Sequence, residues 1–281
     1  MKTNDLLSLG KDIRQYLEEE RERRQLTFVE EEHKYGIYNP MNESIVTDYP
    51  SVSTLMKKYS IPFDEVTKSI EMCKGNEEKA ANLRAEWKEK GDYAGSVGSY
   101  AHYKLENYLL ELFDIEKDTR KPEYDLDEKG LGEGQSMVKT GVNLMHIIIE
   151  KGFVPLDTEV IMGSNDLGYF GQCDNMWLGF IKDQVVLLMT DHKTNQTKNF
   201  AVRPWNVPMF APFEYLLDTD LNKYYLQQPL YALLFNDMLK NSPFSHIPFA
   251  GFRILHLRGN GNIHKIPMRV YEDIRKLYLP K

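Results

Sequence analysis

Two aspartates and a lysine lie at the ends of two successive apolar runs of this sequence. Asp174 ends the first run, while Asp191 ends the run 184–190 and is followed two residues later by Lys193. Side chains alternate along an extended strand, so Asp191 and Lys193 share a face. If the strands are neighbours, both carboxylates meet at one sheet edge and can bind Mg²⁺ or Mn²⁺. A lysine beside that cation can orient water and stabilise phosphate charge, which predicts hydrolysis of a phosphodiester.

Each of these residues also has a simpler interpretation. Either aspartate alone is most simply a turn residue, and Lys193 alone is most simply a salt-bridge partner of Asp191. An acid–x–lysine triplet is a weak signal by itself. The hydrolytic interpretation therefore depends on the combination of Asp174, Asp191 and Lys193.

A histidine and a glutamate earlier in the chain are further candidate ligands. His102 lies in Gly98-x-x-x-His102-x-x-x-Glu106, whose spacing of four places all three residues on one helix face. His102 is a candidate metal ligand or phosphate contact, and the alternative is a structural histidine. Glu159 lies in the core of the first predicted strand, as a further ligand or as a solvent-facing residue.

Two polar residues that follow the acid–x–lysine triplet lie four apart on a predicted helix. Gln227 and Tyr231 share a helix face, where both can bind phosphate oxygens or hold Lys193 in place. The neighbouring Gln228 is an alternative for that role. An isolated pair of this kind is also compatible with ordinary core or surface packing.

The amino-acid composition excludes several classes of protein. The 281 residues include 35 Lys and Arg against 42 Asp and Glu, a net charge of −7 that gives no support to nucleic-acid binding through bulk charge. Two cysteines are too few for a disulfide framework, a four-cysteine iron–sulfur cluster or a four-cysteine zinc site. We find no secretory signal and no apolar run long enough to cross a bilayer, so we expect a cytoplasmic protein without a membrane partner.

Apolar periodicity predicts one α/β domain. Residues 1–92 form an N-terminal hairpin and helical elaboration, and residues 93–281 form the core. A helix is predicted to open at Pro50–Thr54, with Ser51 or Ser53 as its N-cap. The remaining predicted elements are helix 5–24, hairpin 26–47, a polar helical stretch 64–90, helix 93–113, a charged loop 117–131, helix 133–152, strands 156–162, 168–179 and 184–190, loop 195–220, helix 221–240, strands 247–257 and 262–268, and helix 270–278.

The order of these motifs resembles the PD-(D/E)xK nuclease superfamily. Within it, the chain resembles the branch that holds RecB, Cas4 and the mitochondrial genome maintenance exonucleases. The similarity covers roughly residues 26–235. The motifs that carry it are G-x-x-x-H-x-x-x-E, an acid in a strand, G-x-x-D, D-x-K-T and Q-x-x-x-Y, in that order.

The N-terminal region resembles the phage and mitochondrial exonucleases of the same branch. His33-Lys34-Tyr35 matches their hairpin motif, and Pro50–Thr54 matches a Pro-Ser-Val-Thr-like segment. The resemblance implies that Ser51 and Ser53 contact DNA phosphates. The cysteines of Cas4-like members are absent, so no iron–sulfur cluster is expected, and the chain carries no helicase motif.

The resemblance also implies a fold and a role for each site residue. The fold is α/β, with a restriction-endonuclease-like αβββαβ core: a mixed central sheet flanked by helices, with a helical N-terminal elaboration. Gln227 and Tyr231 would position the lysine or the DNA strand. The implied principal ligands of Mg²⁺ or Mn²⁺ are Asp174 and Asp191. The implied additional ligands are His102, Glu159 and the backbone carbonyl of His192, and the implied catalytic lysine is Lys193.

The activity implied is that of a metal-dependent DNA exonuclease in replication, recombination or repair. It would act on single-stranded DNA or DNA ends, in the cytoplasm of a bacterium or a phage-infected host. A helicase, a polymerase or a single-strand binding protein are possible partners. Three alternatives stay open: an endonuclease of the same superfamily, a non-catalytic DNA-end binding adaptor, and a metal-binding phosphatase.

Overall fold

A computed structural model describes residues 3–29, 32, 34–117, 119, 121–122 and 124–279. His33 of the hairpin motif lies outside these described residues. The helices are α1 (Thr3–Arg23), α2 (Val52–Met56), α3 (Glu65–Met72), α4 (Glu77–Leu112), α5 (Glu128–Ile149), α6 (Asp220–Leu239) and α7 (Met268–Tyr278). The strands are β1 (Thr27–Val29), β2 (Lys34–Asn39), β3 (Ser44–Val46), β4 (Val154–Ser164), β5 (Tyr169–Ile181), β6 (Gln184–Lys193), β7 (Phe249–His256) and β8 (Asn262–Lys265).

A five-stranded mixed sheet forms the centre of the molecule. Its strand order is β4-β5-β6-β7-β8, in which β6 and β7 are parallel and the other neighbours are antiparallel. Helix α6 makes the crossover between β6 and β7, as a parallel connection requires. These observations confirm the predicted α/β class and the mixed sheet flanked by helices.

Helices cover both faces of this sheet. Helices α1, α2, α6 and α7 pack on one face, and α4 and α5 pack on the other. The side chains of β6 alternate between the two: Leu187 and Met189 face the first layer, and Val186 and Leu188 face the second. The strand is therefore apolar on both faces, which explains the uninterrupted apolar run that predicted it.

The predicted break between helices near residue 92 is wrong. Residues 77–112 form one helix of 36 residues, and Gly91 lies inside it with no neighbour near its Cβ position. The real break comes earlier, where Lys74 (φ 52°) and Gly75 (φ 82°) adopt left-handed backbone. Asn76 then caps α4 by accepting a hydrogen bond from Lys79 N–H, 2.9 Å away.

Other element boundaries also moved. Helix α5 begins at Glu128 rather than at residue 133, because Asp127 accepts the Gly130 N–H at 2.7 Å and caps the helix. The predicted hairpin 26–47 is a three-stranded antiparallel sheet, β1-β2-β3.

None of the helices in the described ranges is both long and apolar enough to span a bilayer.

Helix α1 is tied to the rest of the molecule through Arg24. The guanidinium of Arg24 donates to Glu20 (2.6 Å), to the carbonyl of Gly163 in β4 (2.9 Å) and to the carboxylate of Asp237 in α6 (2.7 Å). Its side chain is only 10% exposed, so these contacts lie in a largely water-free environment. The N-terminal helix is thus anchored to the sheet and to α6.

Candidate functional site

The candidate site lies where β5 and β6 separate. The two strands pair as far as Asn175 and Thr190, and the next positions in register, Asp174 and Asp191, lie beyond the last recorded pair. The His192 N–H donates to the Asp174 carboxylate at 2.6 Å, in place of a backbone partner. In an extended strand the N–H and C=O of one residue point to the same side. The His192 carbonyl therefore points to the same side as its N–H, and its role as a metal ligand stays a prediction.

Helix α4 and strand β4 bring two further side chains to this gap. His102 Nδ1 lies 3.5 Å from Asp174 Oδ2 and 3.9 Å from Glu159 Oε1. Glu159 has a left-handed φ of 43° and interrupts the β4–β5 pairing opposite Asp174. Gln172 holds the Glu159 carboxylate with a 2.7 Å hydrogen bond. Two residues predicted as additional ligands thus lie beside Asp174.

The acid–x–lysine triplet places an ion pair at the same edge. Lys193 Nζ lies 2.5 Å from Asp191 Oδ2, and both side chains are largely buried. Lys193 Nζ also lies 4.4 Å from the centroid of the Tyr224 ring. Both sequence interpretations of Lys193 remain compatible with this geometry, because a lysine paired with Asp191 is also a lysine next to the predicted metal ligands.

Burial and mutual repulsion alter the charges of the acids. Burial raises the pKa of Asp174. Burial and the Asp174 carboxylate raise the pKa of Asp191 to about 6, although Lys193 opposes the shift. Burial and Glu159 raise the pKa of Glu106 to about 7. The raised pKa values show that it is unfavourable for these neighbouring carboxyl groups to be ionised at the same time. A bound cation between them would offset this repulsion.

The pKa values of the two histidines, His102 and His192, are shifted in opposite directions. Burial alone would lower the pKa of His102, but the Asp174 and Glu159 carboxylates raise it to about 9. Burial, with His102 and Lys193 nearby, holds the pKa of His192 well below its usual range. His192 is therefore neutral and able to bind a metal, while His102 must lose a proton to do so.

The predicted lysine-positioning pair lies on α6 but contacts other groups. Gln227 Nε2 donates to the Tyr231 hydroxyl at 2.8 Å, and the buried Gln227 Oε1 has no hydrogen-bond partner in the described structure. The Tyr231 ring packs on Gly171, where an added Cβ would lie 2.6 Å from the ring. The recorded partners of Lys193 in the described structure are Asp191 and Tyr224, so the expected contact with Gln227 or Tyr231 is not observed.

Tyr224 is the site residue that the sequence interpretation missed. It lies three residues before Gln227 and seven before Tyr231, on the same face of α6. Extending the helical spacing of that pair by one turn towards the N-terminus would have included it.

The two predicted phosphate-binding serines lie at the start of α2. Ser51 caps the helix by accepting a hydrogen bond from the Thr54 N–H, which confirms one of the two predicted N-caps. Ser53 Oγ lies 2.8 Å from Ser51 Oγ. The segment adjoins β5, because Ser51 forms a bridge with Phe170. Their contact with DNA phosphates stays a prediction.

A cleft of 530 Å³ opens beside α4 and reaches the His102 and Glu159 side of the site. His102, Glu106 and Glu159 line it together with Lys117. Helix α4 approaches the end of β6 closely, because a Cβ at Gly98 would lie 3.2 Å from Thr194 Oγ1.

Nitrogen and oxygen donors converge at the site. One side-chain donor atom each from His102, Asp174 and His192 lie within 4.8 Å of one another. Carboxylate oxygens are suitable ligands for Mg²⁺. With imidazole nitrogens added, the donor set is at least as suitable for Mn²⁺ as for Mg²⁺. Asn175 Nδ2 lies 3.4 Å from His192 Nε2 and orients that ring.

Comparisons with known proteins add no relative. No protein-family model matches the chain, and a search of curated proteins finds no match.

Proposed function

We propose that this protein is a metal-dependent DNA exonuclease of the PD-(D/E)xK superfamily, acting on single-stranded DNA or DNA ends. One observation carries the proposal: Asp174, Asp191 and Lys193 meet where β5 and β6 separate, beside His102 and Glu159. Helix capping, turn formation or surface solubility does not require a buried acid, a second acid, a lysine and a histidine that are all largely shielded from solvent at one point.

The residues present fit a divalent cation. Asp174, the His192 carbonyl, His102 and Asp191 would hold Mg²⁺ or Mn²⁺, with Glu159 beside them. When bound, the cation would supply Lewis acidity towards the phosphate and acidify a water. Four donors from two strands and one helix would hold it in place.

The chain's own groups would orient the reacting phosphate and water. Lys193 places a positive charge at the carboxylate edge, where it would stabilise charge that develops on the phosphate oxygens. Its position, two residues after Asp191, brings the ammonium to the same strand face as that carboxylate. Ser51 and Ser53 would bind phosphates of the DNA strand, giving an affinity that falls as salt rises.

The proposed biological setting follows from the resemblance. The protein would process DNA ends during replication, recombination or repair in the cytoplasm of a bacterium or phage-infected host. A helicase, a polymerase or a single-strand binding protein would expose or protect its substrate.

The first test is degradation of an end-labelled single-stranded oligonucleotide with Mg²⁺, with Mn²⁺ and with EDTA. Wild type is compared with Asp191→Ala and Lys193→Ala, and with Asp166→Asn as a surface-acid control. We expect cation-dependent cleavage in wild type and the control, and its loss in the two site variants. The position of the label reports polarity.

Two further substrates separate the alternatives. A circular single strand has no ends, so its cleavage would replace the exonuclease proposal with an endonuclease. A chromogenic phosphate ester tests for a phosphatase. Binding of DNA ends without cleavage of any substrate would defeat the enzyme proposal and favour an end-binding adaptor.

A further inference from the structure

The ammonium of Lys193 has two neighbours with different chemistry. Its side chain is 15% exposed, and Nζ lies 2.5 Å from the Asp191 carboxylate. The second neighbour is the ring of Tyr224, whose centroid lies 4.4 Å from Nζ. A cation this close to an aromatic ring is attracted by the ring's electron density, and the attraction is strongest where water is excluded.

A divalent cation competes with Lys193 for one of these neighbours. The Asp191 oxygen that contacts Nζ belongs to the carboxylate that would bind the metal. A metal bound to Asp191 would draw on the charge of this carboxylate and weaken its attraction for Lys193. The face of the Tyr224 ring offers no oxygen ligand to a metal, so its contact with the ammonium would persist.

The Tyr224 ring is itself fixed to the lysine's own strand. Its hydroxyl donates to Asn195 Oδ1 at 2.9 Å, two residues beyond Lys193. His256 Nε2 lies 2.7 Å from the Asn195 carbonyl, and Asn195 Nδ2 donates to Asp220 at 3.4 Å. Asn195 thus joins the segment after β6 to the start of α6 and to strand β7. Its hydrogen bond to the Tyr224 hydroxyl helps to determine the position of the tyrosine ring.

We propose that Tyr224 is a positioning residue, whose ring keeps the Lys193 ammonium at the reaction centre when Asp191 binds the metal. This inference rests on the proposed nuclease function for its catalytic consequence. The contact between ring and ammonium can be tested without that function.

The kinetic test compares Tyr224→Phe with Tyr224→Leu. Phenylalanine keeps the ring but loses its hydrogen bond to Asn195, whereas leucine removes the ring, so we expect kcat to fall by less than about threefold for Tyr224→Phe and by about tenfold or more for Tyr224→Leu. KM for the oligonucleotide stays within about twofold in both, because the ring acts on the lysine and not on the strand. Tyr108→Leu is the matched control, since Tyr108 is also partly buried and hydrogen-bonded, to His146 at 2.6 Å.

The spectroscopic test follows the side-chain methylene protons of Lys193 by NMR, assigned with Lys193→Arg. Ring current shifts them upfield in wild type, in Tyr224→Phe and in Tyr108→Leu, and the shift is lost in Tyr224→Leu. Saturating Mg²⁺ leaves the upfield shift in place. A folded Tyr224→Leu with wild-type kcat, or an upfield shift abolished by Mg²⁺ in wild type, overturns the proposal. If wild type cleaves no substrate, the nuclease function fails, and the Lys193 resonance alone decides the contact.

Discussion

The His192 N–H and the Asp174 carboxylate form a 2.6 Å hydrogen bond across the gap between β5 and β6. A side chain here replaces the backbone partner that a continuous ladder would supply. The bond holds one oxygen of Asp174 in place without neutralising its charge. The carboxylate is therefore oriented by the sheet itself before any ligand binds.

Replacing Asp174 with asparagine should separate orientation from charge. The amide oxygen of Asp174→Asn can still accept the His192 N–H, so we expect a folded protein. The lost charge should weaken Mn²⁺ binding by about tenfold or more, measured by isothermal titration calorimetry. Asp166→Asn removes an exposed acid that pairs with Lys240 and should bind Mn²⁺ as wild type does. Equal Mn²⁺ affinity in all three proteins would remove Asp174 from the ligand set.

Metal binding should release a proton from His102. With its pKa raised to about 9 by Asp174 and Glu159 against the effect of burial, His102 is protonated at pH 7.5. A cation that takes those carboxylates displaces this proton, so we expect about one proton per bound cation. Titrations in HEPES and in Tris, which differ in ionisation enthalpy, measure that number. Identical heats in both buffers would contradict it, and His102→Gln should abolish the difference.

The same histidine should make the stability of the metal-free protein depend on pH. The folded pKa of about 9 lies above the ordinary value of 6.5, so protonated His102 stabilises the folded state. This contribution is complete below pH 6.5 and is lost as the pH rises through 9. We expect the free energy of unfolding to fall by on the order of 3 kcal/mol across that window. Urea titrations of wild type and His102→Gln should diverge below pH 6.5 and converge above pH 9; parallel curves would rule the effect out.

Gly171 should be intolerant of a side chain. A Cβ there would lie 2.6 Å from the Tyr231 ring and 3.0 Å from Val52. We expect Gly171→Ala to reduce the free energy of unfolding by about 1–3 kcal/mol and to displace Tyr231. Gly132→Ala, in an open position of α5, should instead stabilise the protein by about 0.5–1 kcal/mol. If both variants unfold alike in a thermal melt, the packing of Tyr231 on Gly171 is not the constraint.

Arg24 should be essential for stability. Arg24→Met leaves Glu20 and Asp237 without their largely buried partner, which should cost about 3 kcal/mol or more. Arg23 is the control, because its side chain is 63% exposed and Arg23→Met should change stability by less than about 1 kcal/mol. Chemical denaturation measures both variants. A small effect at Arg24 would mean that α1 is only loosely attached.

The central sheet was predictable because its signal is local. A run that is apolar at every position, such as 184–190, indicates a strand covered on both faces. The shared face of Asp191 and Lys193 followed from the two-residue repeat of a strand. Ser51 as a helix cap followed from its hydroxyl and its place before an apolar helix.

Contacts between distant segments were not predictable in the same way. The Tyr224 ring reaches Lys193 only because α6 returns across the end of β6, after a loop whose path has no periodic signal. Helix α4 continues through Gly91 because packing of its later turns offsets the weak helical preference of one glycine. The left-handed backbone of Glu159 likewise depends on its partners across the sheet.

The contact between Arg24 and Asp237 spans 213 residues of chain. Ribosomes make proteins from the N-terminus, so α1 emerges long before the helix to which it is anchored. The antiparallel strands β4, β5 and β6 are neighbours in sequence and can pair while synthesis continues. Helix α1 can pack on β4 as soon as that strand has been made, because Arg14 and Arg21 donate to backbone carbonyls of β4. The contact of Arg24 with Asp237 can form only after α6 has been translated, so the attachment of the N-terminal helix is completed late in synthesis.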